Sequence, residues 1–259
     1  DPNESIEFII KSLKDNAKVL TTEEEFEIFA GSDHYENVEK KSSNFYEISP
    51  TLKVEMLKKL EKLVKDKDPR IVHVPYCQYK EVETTKAIFN SKGLELSQTN
   101  RFAFVVVGAV AKEGEDSKSA FEFQLVNLFE DFNIEKLAED AASKALNLLG
   151  AEPVPSKSYP VIFENEVMGD IMQAFMSVFS GEAAVKKMTL LLGKEGEKVM
   201  SEKITISDDP FKAEAKFAYN FDDEGVACYK KDVVKDGVFT QFLHILKTAR
   251  YFKTTSTGN

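Results

Sequence analysis

The residues with the clearest capacity for chemistry cluster near the end of the chain. Asp208-Asp209-Pro210 and Asp222-Asp223-Glu224-Gly225 are dense in carboxylates, the donors a hard cation such as calcium or magnesium requires. Neither has the alternating acidic loop with a distal glutamate that builds such a site, and Asp, Pro and Gly are equally the residues of tight turns. Turn chemistry is therefore the favoured reading. Gly193-Lys194-Glu195-Gly196-Glu197-Lys198 has the glycines of a phosphate loop but not its GxxxxGK[ST] order, and its glutamates would repel phosphate. Cys228 and His244 supply the types of a nucleophile and a base, yet a cysteine inside an apolar run is more often a small buried group. The histidines, at 34, 73 and 244, are too scattered for a His-based zinc site. Residue types alone identify no catalytic centre.

The elements that must position these residues follow from periodicity and punctuation. Ser5–Leu13 predicts a short amphipathic helix, and residues 21–43 an acidic, aperiodic surface connector. Ser49-Pro50 opens a strong helix with Leu52, Met56, Leu60, Leu63 and Val64 on one stripe, crowded with lysines at its end and stopped at Asp68-Pro69. Ile71–Tyr79, Thr84–Asn90, Leu94–Lys112 (one long strand or a broken pair) and Ser119–Phe129 read as strands. The links between them are too short for parallel crossovers, so they form an antiparallel meander. Asn133 caps a helix to Leu149 whose stripe is Ile134, Leu137, Ala138, Ala141, Ala145 and Leu148. After the Pro153/Pro155 linker, Tyr159–Phe163 predicts a buried strand. Glu164–Phe179 predicts a helix turning Val167, Ile171, Phe175 and Val178 inward. Ile204–Ser207, Val226–Val234 and Val238–His244 predict strands, the last two joined by Lys235-Asp236-Gly237, a hairpin signal. The fold class is α+β: an antiparallel meander with packed helices, then a second α/β segment rich in antiparallel hairpins. Three regions are expected: a helix and connector over 1–47, an α+β domain over 48–152, and the first part of a β-rich domain over 153–259.

Composition narrows the classes of function. The 259 residues carry a net charge of −10, which disfavours nucleic acid as the main ligand. Two cysteines in no CxxC spacing fit a reducing, cytoplasmic setting. The longest apolar stretch, 102–111, is too short to span a bilayer, so no membrane association is expected. No secretory signal opens the sequence, and its start inside a polar helical pattern suggests a processed or trimmed chain.

Read in order, several stretches resemble the PmbA/TldD family, long labelled modulators of DNA gyrase. They are "YPVIFENEV", "SGEAAVKKMTLLLGKEGEKV", "ITISDDP", "DDEGVACYKKDVVKDGVFTQFL" and "TARYFKTTSTGN", preceded by "FNSKG" and "ALNLLGAEPVPSKSYPV". The resemblance covers about residues 48–259 and implies a chain shorter than family members at both ends. It implies a two-subunit metallopeptidase acting on unfolded peptides. The TldD subunit binds zinc through an H-E-x-x-x-H helix, and the TldE/PmbA subunit lacks the histidines and completes the channel. In this sequence Gln173-Ala174-Phe175-Met176-Ser177-Val178 stands where that motif aligns. Gln173, Ala174 and Val178 mark the position of a lost zinc motif, and Glu164, Glu166 and Asp170 read as carboxylates of a helix surface. The chain is thus expected to be a TldE/PmbA-type subunit with no catalytic residue and no metal of its own. Zinc is expected in a TldD-like partner, or the chain pairs as a homodimer. Asp222, Asp223, Glu224, Gly225 and Gly237 are candidates for the substrate channel or subunit interface. Two alternatives stand beside this reading: a self-sufficient homodimeric metal-dependent hydrolase using His244 or the Asp222–Glu224 cluster, and a regulator linked to DNA gyrase.

Overall fold

The computed structural model describes residues 5–20, 27–37, 42–212, 214–216 and 218–259. Helix α1 spans Ile6–Val19, opened by Ser5. Helix α2 spans Pro50–Lys65, its first turn closed by Ser49 Oγ accepting from the Leu52 amide at 3.3 Å. Strands β1 (Ile71–His73), β2 (Cys77–Phe89), β3 (Glu95–Glu113) and β4 (Asp116–Val126) follow, then helix α3 (Ile134–Asn147). The second part holds α4 (Asn165–Phe175), α5 (Gly181–Val185), β5 (Ile206–Asp208), β6 (Lys231–Lys235), β7 (Val238–Phe239) and α6 (Leu246–Phe252). Among the described residues no helix is long and apolar enough to cross a membrane.

The meander is antiparallel throughout and centred on β3. Strand β2 pairs with it from Cys77↔Val107 to Phe89↔Glu95, and β4 from Ala103↔Val126 to Glu113↔Asp116. The β2–β3 turn is built by Asn90, whose Oδ1 accepts from the Lys92 and Leu94 amides at 2.9 and 3.2 Å. Gly93 there has a φ of 85°, a conformation open to glycine and costly for other residues. Because strand side chains alternate, Ala103, Val105, Val107, Ala109 and Ala111 of β3 all face inward and are fully buried. Helices α2 and α3 cover that face. Leu60 and Val64 come from α2; Leu137, Ala138, Ala141, Ala142 and Ala145 come from α3. The small alanines let the α3 backbone approach the sheet closely. Leu52 and Leu148, placed on the expected stripes, lie at the exposed margins instead.

The second part is organised around aromatic packing. Phe179, Val233, Val234, Phe239 and Phe242 form its core, with Phe239 and Phe242 rings 4.8 Å apart, edge to face. Strands β5–β6–β7 make a small antiparallel sheet. Asp236 and Gly237, with φ of 50° and 79°, form the β6–β7 turn.

Several expectations here are overturned. Tyr159–Phe163 forms no strand and is exposed, Ile162 to 98%. Pro160 removes one ladder donor, and no described strand lies alongside to pair with the rest. Helix α4 turns Val167 and Phe175 outward rather than inward, and it ends in a 3₁₀ turn over Met176–Phe179 that swings Phe179 into the core. The Val226–Val234 run is not one strand: an isolated bridge joins Phe221 to Ala227, and β6 begins only at Lys231. The Val238–His244 run likewise stops at Phe239, with Leu243 bridging in parallel to Ser180. Helix α6 lay outside the sequence reading altogether. The expected connector over 21–43 falls partly outside the described residues.

Replacing Leu60 by Ala removes a fully buried side chain from the helix–sheet seam. We expect the substitution to cost about 2–5 kcal/mol, read as a lower midpoint in urea unfolding.

Candidate functional site

The acid turn is the junction of the second part with the meander. Residues 220–222 and 226–228 form a small hairpin: the Asp222 amide donates to Val226 O at 2.9 Å, and the Cys228 amide to Asn220 O at 3.0 Å. Asp222 closes the turn from inside, its Oδ1 accepting from the amides of Glu224 and Val226, both at 2.9 Å. Gly225 completes it with a φ of 86°; a Cβ there would sit 2.7 Å from Leu94 Cδ2 at the β2–β3 tip. The carboxylates do different work. Asp223 is exposed and pairs with Lys86 of β2 at 2.7 Å. Lys86 Nζ lies over the Tyr219 ring, 4.2 Å from its centre. Glu224 Oε2 accepts from the Leu246 amide at 2.7 Å, so it caps the start of α6.

Asp222 is 4% exposed, and its Oδ2 has no partner among the described residues. Burial raises its carboxyl above the ordinary value of 3.8, against the pull of the Val226 and Glu224 amides and of Lys86. Beside it lies a cavity of about 260 Å³ bounded by Lys86, Tyr219, Phe221, Asp208 and Asn259.

The chain's last described residues fold back over this hairpin. Gly258, with a φ of 57°, lies against the Ala227 carbonyl, where a Cβ would collide. Lys231, its side chain 1% exposed, pairs with Asp208 at 2.7 Å and donates to the carbonyls of Tyr229 and Gly258 at 2.9 and 3.2 Å. Asp209 pairs instead with Lys230 at 2.9 Å. Asp209 also closes the expected turn, its Oδ1 accepting from the Phe211 amide at 3.1 Å, so the two aspartates combine turn chemistry with a lysine pair each.

Other candidates resolve into structural roles. Burial and then Asp222 push the Cys228 thiol up to about 11, so it is protonated at neutral pH and a poor nucleophile. His244 Nδ1 meets Thr248 Oγ1 at 3.2 Å, and its ring packs on Phe252, centres 5.4 Å apart. Burial lowers its pKa. Gly237 is needed for close approach as well as for its turn: a Cβ would lie 2.6 Å from the Met200 carbonyl. The Gly193–Lys198 segment is a turn bound to β7 through the Gly196 amide and Phe239 O at 2.7 Å. On α4, Glu166 pairs with Lys144 of α3 at 2.7 Å. Gln173 and Ala174 are exposed, and Val178 packs against the aromatic core.

Family models match nearly the whole region from residue 43 onward. The PmbA/TldA metallopeptidase central domain matches 43–149, and its C-terminal domain 156–259. The chain belongs to the PmbA/TldA metallopeptidase family. Among relatives, metalloprotease PmbA of Escherichia coli O157:H7 is 25% identical over 214 residues, covering 82% of this chain and 48% of its own. A Thermotoga maritima protein described as a modulator of a DNA gyrase is 32% identical, with a TM-score of 0.89, covering 99% of this chain and 58% of that one. TldE from Thermococcus kodakarensis is 27% identical, with a TM-score of 0.78, covering 99% and 59%. The chain thus spans about half the length of the relatives it matches.

The side chains at positions 173, 174 and 178 do not fit the zinc that the resemblance led one to expect in this family. Gln173 offers one weak amide oxygen, and Ala174 and Val178 offer hydrocarbon, where zinc takes imidazole, thiolate or carboxylate in a tetrahedron. Among the described residues no three His, Cys, Asp or Glu side chains converge to hold a metal ion.

The partners of the acid turn were hidden from sequence reasoning. Lys86 and Tyr35, which binds Gly225 O at 2.7 Å, come from far along the chain, and nothing in their local pattern marks them.

Two outcomes follow from this geometry. Asp222 holds its proton more tightly when folded, so its contribution to stability declines as pH rises above the ordinary carboxylate range. Asp222→Asn should therefore gain stability relative to the parent as pH rises above the ordinary carboxylate range, checked by thermal unfolding on either side of it. Glu224→Ala should cost about 1 kcal/mol by uncapping α6, checked by urea unfolding.

Proposed function

We propose that this chain is the PmbA/TldE-like, zinc-free subunit of a two-subunit peptidase acting on unfolded peptides. The reading is carried by the residues from Gln173 to Val178, at the end of α4 and in the 3₁₀ turn after it: where the resemblance places the zinc motif of TldD-type subunits, Gln173, Ala174 and Val178 offer no strong metal ligand. In this role the chain performs no bond cleavage. It supplies a wall of the channel near the acid turn of Asp222, Asp223, Glu224 and Gly225, of which Asp222 and Asp223 line open space. An extended peptide is recognised there mainly through its backbone, which gives affinity with little demand on sequence. Zinc held by the partner would supply the Lewis acid for hydrolysis. The two free cysteines suit a reducing cytoplasm, the compartment proposed for the complex.

The test is reconstitution with a family member carrying an intact H-E-x-x-x-H helix. Adding this chain should raise that subunit's cleavage of an unfolded fluorogenic peptide, while this chain purified without chelator carries substoichiometric zinc. Stoichiometric zinc held by this chain alone, or no binding to the zinc-bearing subunit, would sink the reading.

A further inference from the structure

We infer that the free edge of β4, from Ser119 to Phe123, receives an extended segment of a partner protein as an added antiparallel strand, its Lys or Arg side chains turned into the acidic groove between β4 and α4. The inference does not depend on the peptidase role proposed above.

The direction of the backbone groups follows from the ladder. The Gly108 amide donates to Tyr76 O at 3.0 Å and the Lys112 amide to Arg70 O at 2.8 Å, so even-numbered residues of β3 face the β1–β2 side. Its odd-numbered residues therefore bond β4, at Val105↔Gln124, Val107↔Glu122 and Ala109↔Ala120. Ser119, Phe121 and Phe123 alternate with those positions and turn their N–H and C=O groups away from β3. Among the described residues no strand pairs with that side. The Phe123 amide bears out the direction: it donates to Glu122 Oε1 at 3.2 Å, not to β3. This stretch carries no proline and no bulge, and Phe121 and Phe123 are 58% and 59% exposed. An edge left this bare is a template for pairing. The acid-turn hairpin differs, because its outer groups, Gly225 O and the Ala227 amide, are already taken by the Tyr35 and Ser32 hydroxyls.

What lies beside the edge selects the occupant. A groove of about 730 Å³ runs between Ser119–Phe123 and α4, with Lys144 and Leu148 at the end of α3 also lining it. Its carboxylates are those of Glu122, Glu164, Glu166 and Asp170. The lysine among its lining residues, Lys144, is shared by Glu122 at 2.6 Å and Glu166 at 2.7 Å, so negative charge is left over. A second copy of the chain would bring the same acidic rim to the contact, and like charges oppose that pairing. A helix has its backbone groups bonded internally and has none to offer the edge. An extended segment supplies a donor and an acceptor at every second residue. Its outer side chains would cover Phe121 and Phe123. Its lysines would lay their stems on Leu148 and Val167 and reach the carboxylates with their ammonium groups. The site is separate from the acid turn: Val106, opposite Phe123, stands roughly ten residues along β3 from Leu96, where the acid turn rests, or about 33 Å at the rise of a strand.

The probe is a fluorescein-labelled peptide of alternating Lys and Val, titrated by anisotropy into the 259-residue chain. In antiparallel addition the residues that bond the edge lie opposite Ser119, Phe121 and Phe123 and share their face. N-methylation at the Val amides should therefore abolish binding, and N-methylation at the Lys amides should leave it. A peptide with Glu in place of Lys should not bind, and added salt should weaken the parent peptide. Ser119→Pro removes an outward amide without touching the β3 ladder and should weaken binding about fivefold, the worth of one hydrogen bond. Asp170→Lys should weaken it by about as much and serves alone if Ser119→Pro does not fold. Unchanged affinity in the folded variants, binding of the Glu peptide or of the Val-methylated peptide, or no binding to the parent chain overturns the inference. So does a dimer in sedimentation that Ser119→Pro disperses, which would give the edge to a second copy. Ser119→Pro should leave peptide cleavage by the mixed subunits unchanged; a parallel loss of cleavage would make the edge a substrate site and overturn the assignment to a partner. Failure of the mixed subunits to cleave at all sinks the peptidase role and leaves the binding result to stand by itself.

Discussion

The second half of the molecule depends on how one buried carboxylate closes one turn. Asp222, 4% exposed, folds the acid turn around its own Oδ1, which accepts from the Glu224 and Val226 amides. With the backbone fixed, Asp223 is aimed at Lys86, Glu224 at the start of α6, and Gly225 at the β2–β3 tip. The cost is a second oxygen without a partner. A turn that only reversed the chain would have no use for that arrangement, since an exposed Asx turn closes as well without burial.

Around this point the two parts of the chain are joined by polar contacts more than by a shared core. The meander and its helices bury aliphatic side chains; the second part buries phenylalanines; the clusters are separate. Between them run the Lys86–Asp223 pair, the Gln98 and Asn100 amides donating to Ala218 O at 2.6 and 3.0 Å, and the Tyr35–Gly225 contact. Such contacts set geometry closely while adding modestly to stability. That suits a protein whose proposed work is to hold one side of a channel in register with a partner.

Much of the meander was legible in the residues themselves. Ser49-Pro50 and Asn133 mark helix starts by a chemistry that acts over three residues, and β3 is legible as the apolar run 102–111; which of its faces is covered is not, since Phe102, Phe104, Val106 and Val110 on the other face are apolar too. What escaped detection was non-local. Tyr159–Phe163 has the composition of a strand, but a strand is a relation to a neighbour, and none of the described elements provides one. Helix α6 has weak periodicity and is set by Glu224, 22 positions earlier. The acid turn itself was recognised; its dependence on Lys86, Ser32 and Tyr35 was not, since contacts across more than a hundred residues leave no local trace. That Gln173, Ala174 and Val178 offer no strong metal donor was legible because donor chemistry belongs to residue identity, which no fold can alter.

The continuity of β3 has a kinetic side. Its partners β2 and β4 are its immediate neighbours along the chain, joined by the tight turns at Gly93 and Gly114. Zipping these two hairpins closes small loops and loses little chain entropy. The Tyr35–Gly225 contact spans 190 positions and must wait for everything between them. Loop-closure entropy therefore favours assembly from the meander outward, with the acid turn meeting its lysine and its tyrosine on a surface already formed.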